Sequence, residues 1–451
     1  MKQNNTDRMI DASQRFLSIA TAVLTLAAAT GIARAQVPLA PPIELGVLAV
    51  ISDGKQDALT YSSGNLAPPE RPDRLTLWTA PFDPARGPAG GIDAPNSNFS
   101  PSGVAVISRD GRRAYVVETM MRPPGETRLR GLVPANRLRA FDITDPANPR
   151  ALAEVTVGRQ PRSLALSGDG RTVVTLSGDA DQPLGFAAVT SEGLAAPVFF
   201  GVPGVRPGFT DFSFIQWSPT TDAIAVNLAS ESRVLFFSVD RDAAGLVTGV
   251  RPWGNPVSTN KYPLVGRFTP DGRHYLTSDV NWGSDVPGFS GVRRGFLSMI
   301  RVADSTAEPA RHFLVDADVA GLSAESFTVS PDGQWVVASN IETTGHPVGA
   351  PRYNGLALLT LHRLDGERSQ LARVGETRYP GLLPQGIVFD AASRYVLVGT
   401  NELMENRSEG GVLVFRLERT PEPRLVDTGV RLRVPPGVHS IAATGPQGGS
   451  W

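Results

Sequence analysis

Val329-Ser330-Pro331-Asp332-Gly333 runs straight into Gln334-Trp335-Val336-Val337-Ala338-Ser339-Asn340, and Phe268-Thr269-Pro270-Asp271-Gly272 runs the same way into Arg273-His274-Tyr275-Leu276-Thr277-Ser278-Asp279. In both, an apolar strand ends in a Ser/Thr-Pro-Asp-Gly turn and a second apolar strand begins at once. Proline presets its φ for the turn, and glycine accepts the positive φ that closes it. Reduced versions of this punctuation fall at Gly54, Gly111, Gly170, Thr221 and Ser393. With Gly272 and Gly333 they make seven anchors, 51 to 61 residues apart. A near-constant period of this size marks one supersecondary unit repeated along the chain.

Each unit reads as four short strands. In the second copy these are 103–107, 114–118, 137–143 and 152–157, where Val, Leu, Phe and Tyr alternate with small or polar residues. Sheets of four antiparallel strands repeated radially give an all-β, seven-bladed β-propeller, an architecture that leaves few open sheet edges. WD-type repeats run at about 40–45 residues; this unit is longer and lacks their Gly-His and Trp-Asp marks. Val438–Thr444 and Val47–Ile51 compete for the innermost place in one blade, and one of them is expected to close the ring by pairing the two chain ends.

The turn and the strand after it, as in Arg113-Ala114-Tyr115-Val116-Val117-Glu118 and Arg394-Tyr395-Val396-Leu397-Val398-Gly399-Thr400-Asn401, resemble the YVTN family, a seven-bladed propeller group related to lactonase-type propellers. The resemblance spans roughly residues 45–445 as architecture and implies the fold rather than an activity. One segment resembles the lactonase type more closely: Ala324-Glu325-Ser326-Phe327-Thr328-Val329 with Ala338-Ser339-Asn340. It is similar to the place where a glutamate opens a central strand and the next strand ends in Ser-Asn. For Glu325 and Asn340 this implies a channel that handles lactones, or the acids they form, without a redox cofactor. The Pro-His or Arg-His steps of that family are missing from 211–213, 266–268 and 384–386, and His439 is the only imidazole at a central strand start.

Composition narrows the classes. The chain has no cysteine, which excludes disulfides, thiolate metal sites and c-type haem attachment. With 43 Lys and Arg against 44 Asp and Glu, there is no global field to draw nucleic acid or an anionic membrane. The arginines between 112 and 139 read as a solvated loop bracketed by acids. Residues 1–35 read as a secretory signal: Lys2, Arg8 and Arg15, an apolar stretch from Phe16 to Thr30, then Ala33-Arg34-Ala35. The expectation is a periplasmic or secreted monomer without stable membrane insertion. A single propeller domain spans 36–445, and a frayed tail spans 446–451.

Loop lengths choose a face. The turns between first and second strands are tight, whereas the loops 119–136, 280–295, 341–354 and 402–410, between second and third strands, are long and rich in Gly, Pro and polar residues. Such excursions suit binding, so a small-molecule ligand or a protein partner is expected at the channel mouth on that face. Two rings of positions converge there. Seven residues after each turn anchor stand Tyr61, Glu118, Ser177, Leu228, Asp279, Asn340 and Thr400, with Asn227 and Asn401 one step away. These either cap the following turn or form a ring of oxygens that could hold a divalent cation. At the central strand starts stand Arg162, Phe212, Arg267, Glu325, Gln385 and His439. Arg162 and Arg267 could fork onto a carboxylate or phosphate. Glu325 could act as a general base once desolvated, or pair with an arginine as a structural salt bridge. No Gly-x-Ser-x-Gly elbow, zinc spacing or phosphate loop is present.

Overall fold

The computed structural model describes residues 39–99, 102–178, 181–205, 211–286 and 291–446. The expected leader at 1–35 and all but the first residue of the expected tail lie outside these. Among the described residues, seven antiparallel sheets of four main strands each follow one another along the chain. The sixth is typical: Ser326–Val329 is innermost, followed by Trp335–Asn340, Ala357–Asp365 and Gln370–Tyr379. Two sheets carry an extra short outer strand, Val198–Phe200 in the third and Val257–Ser258 in the fourth. Each innermost strand touches the innermost strands of the blades before and after it, and the seventh touches the first, so the seven stand around one channel. The described residues form a seven-bladed β-propeller.

The turn chemistry explains why Ser/Thr and Asp recur two residues apart. Ser330 donates to Asp332 Oδ1 at 2.6 Å, and its Oγ accepts from the Trp335 N–H at 2.9 Å. The same pair closes the turns at Ser108, Ser167 and Thr269. Glycine then takes the left-handed position, with φ of 71° at Gly272 and 68° at Gly333. Ser393 holds that place in the seventh blade at φ 55°.

The first blade keeps the count of seven but corrects its anchor. Its innermost strand is Val438–Ala443 and its second is Val47–Ser52, paired antiparallel from Leu48↔Ala443 to Ser52↔Val438. The two segments expected to compete therefore sit side by side. Thr444 donates its N–H to the Val47 carbonyl at 3.0 Å, the bond that Ser330 makes to Trp335 inside an unbroken turn. No tight turn therefore joins the first and second strands of this blade, and Gly54 is not one of the anchors. The Asp53-Gly54 pair opens the loop 53–73 between second and third strands, on the long-loop face.

Alternating strand residues fill the spaces between blades. One apolar cluster joins Val116, Leu138 and Phe141 of the second blade to Leu75, Leu77 and Val173 of its neighbours. Another joins Trp78 and Leu48 to Val414, Leu432 and Ile441 across the chain ends. No helix among the described residues is long and apolar enough to cross a membrane.

Candidate functional site

The innermost strands are not regular at their long-loop ends. In the third blade Pro161 pairs with Ser177 and Ser163 with Leu176, so Arg162 is skipped. Ser213, Leu264 and His439 are skipped in the same way, and Gln385-Gly386 together face one residue of the next strand. These are β-bulges, which leave an extra residue unpaired and turn its side chain out of the ladder. Proline precedes three of them, at 161, 263 and 384, where a missing N–H costs no ladder bond. Glu325, just before the strand Ser326–Val329, completes the set. The ring at the mouth is thus Arg162, Ser213, Leu264, Glu325, Gln385 and His439.

This ring corrects two expected members. Phe212 pairs within its strand, and Ser213 takes the place. Arg267 pairs with Leu276, three residues further along than Leu264, and lines a different compartment near the tight turns.

Above the ring lies a cavity of about 490 Å³. Arg162, Glu325 and Gln385 meet on its wall with Tyr61, Tyr262 and His346. Glu325 is 6% exposed and accepts a 2.6 Å bond from Gln385 Nε2. Burial pushes its carboxyl up to about 7, against the pull of that bond. Its partner is an amide, and no arginine pairs with it among the described residues. Arg162 instead pairs with Asp211 at 3.0 Å, and the Tyr262 hydroxyl donates to the other oxygen of Asp211 at 2.5 Å. Tyr262 and Trp282 form an aromatic wall, ring centres 6.2 Å apart, and Trp282 Nε1 donates to Ser323 Oγ at 3.2 Å.

Tyr61, expected in the ring seven residues after each turn anchor, does line the cavity, whereas His346, Tyr262 and Trp282 were not singled out from the sequence. His346, on the loop after Trp335–Asn340, lines the cavity, and burial and then Arg352 lower its pKa. Tyr61 stands on the loop 53–73 and donates to the Asn98 carbonyl at 3.1 Å. The loop 53–73 is a fifth long loop on this face, which counting Gly54 as a turn hid.

Beside the cavity, His439 joins a buried polar knot in the first blade. Lys55 contacts Asp53 at 3.1 Å, bonds Asp73, and donates to the Asn96 carbonyl at 2.6 Å. Burial alone would raise Asp53, but Lys55 and then His439 hold it below the usual range. Burial and Asp53 push Asp73 up to about 7. Asn96 gives its NH₂ to Ser52 O and Ala94 O, which leaves Oδ1 to accept from His439 Nε2 at 2.8 Å. That bond fixes the tautomer. Burial, with Lys55 adding to it, brings His439 down to about 4, so it is neutral at pH 7 with Nδ1 unpaired among the described residues.

The expected ring of oxygens does not converge. Glu118 pairs with Arg139 at 3.0 Å inside the second blade. Asp279 accepts from Ser298 at 2.5 Å, Thr277 at 2.8 Å and the Asn260 N–H at 3.1 Å, and burial pushes it up to about 7. Asn340 accepts from the Gly321 N–H at 2.7 Å and donates to Leu358 O at 3.0 Å. Asn401 buries its carboxamide with no partner among the described residues. Asp279 and Asn340 serve as local caps. Among the described residues no three His, Cys, Asp or Glu side chains gather as a metal site would need.

Several solved structures share the architecture. The periplasmic gluconolactonase of Pseudomonas aeruginosa matches with 16% identity and a TM-score of 0.59, over 88% of this chain and 99% of its own. A candidate 6-phosphogluconolactonase from Bacteroides fragilis matches with 14% identity and a TM-score of 0.59, over 90% and 99%. A protein of unknown function from Desulfotomaculum acetoxidans matches with 14% identity and a TM-score of 0.57, over 89% and 99%. At such identities the likeness establishes the fold alone. No family model matches the chain, and no curated protein matches it.

Proposed function

We propose that this protein binds a small polar molecule carrying an acid group in the cavity at the channel mouth. The observation that carries the reading is the bulge-built ring, which sets Arg162, Glu325 and Gln385 on the wall of one cavity of about 490 Å³. That volume is in the range of small-molecule sites, and a few convergent polar groups among aromatic walls are what orient such ligands. Arg162 is the anion partner, exchanging Asp211 for the ligand's acid group. Glu325 and the Gln385 amide address hydroxyl groups, and Tyr262 and Trp282 cover the apolar face. Titrating the purified protein with a panel of lactones and of the acids they form tests this. Saturable binding of an acid, weakened at least about tenfold in Arg162→Met, is expected, since a charge-assisted bond is worth about 1.5–3 kcal/mol. Absence of binding across the panel refutes the reading.

A second reading is favoured by one observation, a carboxyl near pKa 7 with no counter-cation beside it. Such a group is poised as a general base at neutral pH. In lactone hydrolysis Glu325 would take a proton from water, whose oxygen adds to the lactone carbonyl. The ring C–O bond then breaks, and the proton returns to the departing oxygen. Glu325→Gln should then lower turnover at least about a hundredfold with the melting temperature within a few degrees. Wild-type protein that binds the acids but turns over no lactone leaves the binding role alone. Export belongs to the same proposal, and N-terminal sequencing of the mature protein checks cleavage after Ala35.

A further inference from the structure

The channel holds a second compartment at its tight-turn end, a cavity of about 450 Å³ lined from all seven innermost strands. Two residues before each turn's Ser, Thr or Asp the strands contribute one layer. On three neighbouring blades that layer is Gln216, Arg267 and Thr328; Val106, Ala165 and Ala442 line it on three more, and the seventh blade contributes Ile387 instead. One arc therefore offers an amide, a guanidinium and a hydroxyl, and the facing arc is apolar.

Arg267 is the anomaly. Its guanidinium carbon lies 5.4 Å from the centre of the Phe214 ring. No carboxylate lines the compartment, and among the described residues Arg267 has no ion-pair partner. Burial lowers its pKa to about 10, with only Tyr275 acting the other way. The acids of four tight turns, Asp110, Asp169, Asp271 and Asp332, are engaged by the hydroxyls of those turns. The other charged lining residue, Arg109 at the rim, is also basic. Gln216 spends its carbonyl on the Phe268 N–H at 2.6 Å, which leaves its NH₂ as a donor to the cavity. Arg267 is half-buried in the channel wall; a charge held in so narrow a space without a partner is costly, and an anion from solution would remove that cost.

We propose that this compartment is a second ligand site, separate from the mouth, for a small organic monocarboxylate with an apolar body. The carboxylate sits on the Arg267 guanidinium and the Gln216 NH₂, and the body lies against Val106, Ala165 and Ala442. A single arginine and apolar walls suit one negative charge on a greasy molecule better than a phosphate dianion.

Calorimetric titration of the full chain with hexanoate, and with uncharged hexanamide, tests this. Expected are one saturable hexanoate site, hexanamide at least tenfold weaker, and hexanoate weakened at least tenfold in Arg267→Met. Gln216→Leu should weaken it several-fold, which keeps the test open if the arginine variant does not fold. Glu325→Gln should leave it unchanged, which separates this site from the mouth. Equal binding of acid and amide, equal binding by Arg267→Met and wild type, loss in Glu325→Gln, or no saturable binding would each overturn the proposal.

Discussion

Glu325 links the mouth to stability. Its carboxyl is raised from 4.5 to about 7 on folding, mainly by burial. The folded state therefore binds the extra proton between those values. Stability from this group is fully present below about pH 4.5 and is lost as pH rises through about 7. At about 1.4 kcal/mol per unit the loss is at most about 3.5 kcal/mol. Glu325→Gln removes the slope, so the variant's melting temperature should gain on wild type between about pH 4.5 and 7 and level off above that. A constant offset across that range would show that burial is not what holds the proton. Lys55 makes the opposite case. Lys55→Met leaves Asp53 and Asp73 buried together without their cation, a loss of about 3–5 kcal/mol. Protonation relieves two facing carboxylates, so the deficit measured by denaturant unfolding should shrink from pH 8 to 5. Glu325 and Gln385 were legible in the sequence because they stand at strand starts of a repeat. Arg267 was misplaced because an apolar strand does not display its own register: Pro263-Leu264, three residues earlier, was the true start. His346 lay in a loop, where residue type alone gives no direction.

The tight turn is the element the sequence displays most openly, because Ser, Asp and Gly each satisfy a separate bond or angle in it. The bulge is the element it hides. A bulge is a mismatch between two strands, and neither strand carries it alone; only the prolines at 161, 263 and 384 hint at it. Gly54 shows the cost of reading punctuation without partners, since an Asp-Gly pair in a long loop imitates a worn turn. The turns also differ in how they meet their neighbours. A Cβ on Gly272 would stand 2.4 Å from Thr220 Oγ1 of the preceding blade, whereas one on Gly170 would meet nothing within 4 Å, and both have φ near +70°. The left-handed conformation costs a non-glycine residue about 1–2 kcal/mol. Gly170→Ala should lose about that much, and Gly272→Ala more, by the contact with Thr220. The double variant Gly272→Ala with Thr220→Ala should bring the loss back to that of Gly170→Ala. If both glycine variants lose the same amount in denaturant unfolding, the turns do not brace the blades.

At the scale of the molecule, the first blade is the only one among the described residues whose innermost strand is not continuous with its second. Five pairings, from Leu48↔Ala443 to Ser52↔Val438, hold the two ends of the described chain together. Val438, Ile441 and Ala443 fill the same cluster as Leu48, Val50 and Trp78. His439 also supplies the bond that orients Asn96 over Lys55. Ending the chain at Gly437 would uncover the edge of Val47–Ser52, open the channel wall on one side and leave the Asp53–Lys55–Asp73 knot open to solvent. Such a protein should lose cooperative thermal unfolding and aggregate, because an unpaired apolar strand edge templates association. The missing strand is short and extended, with its side chains alternating between two prepared surfaces, so it should return as a separate molecule by strand addition. A synthetic peptide covering 435–446 should restore a single unfolding transition to the truncated chain, and the same peptide with Ile441→Asp should not. Cooperative unfolding of the truncated chain without the peptide would mean that six blades and a three-stranded remnant suffice, and that the end pairing is not what holds the molecule together.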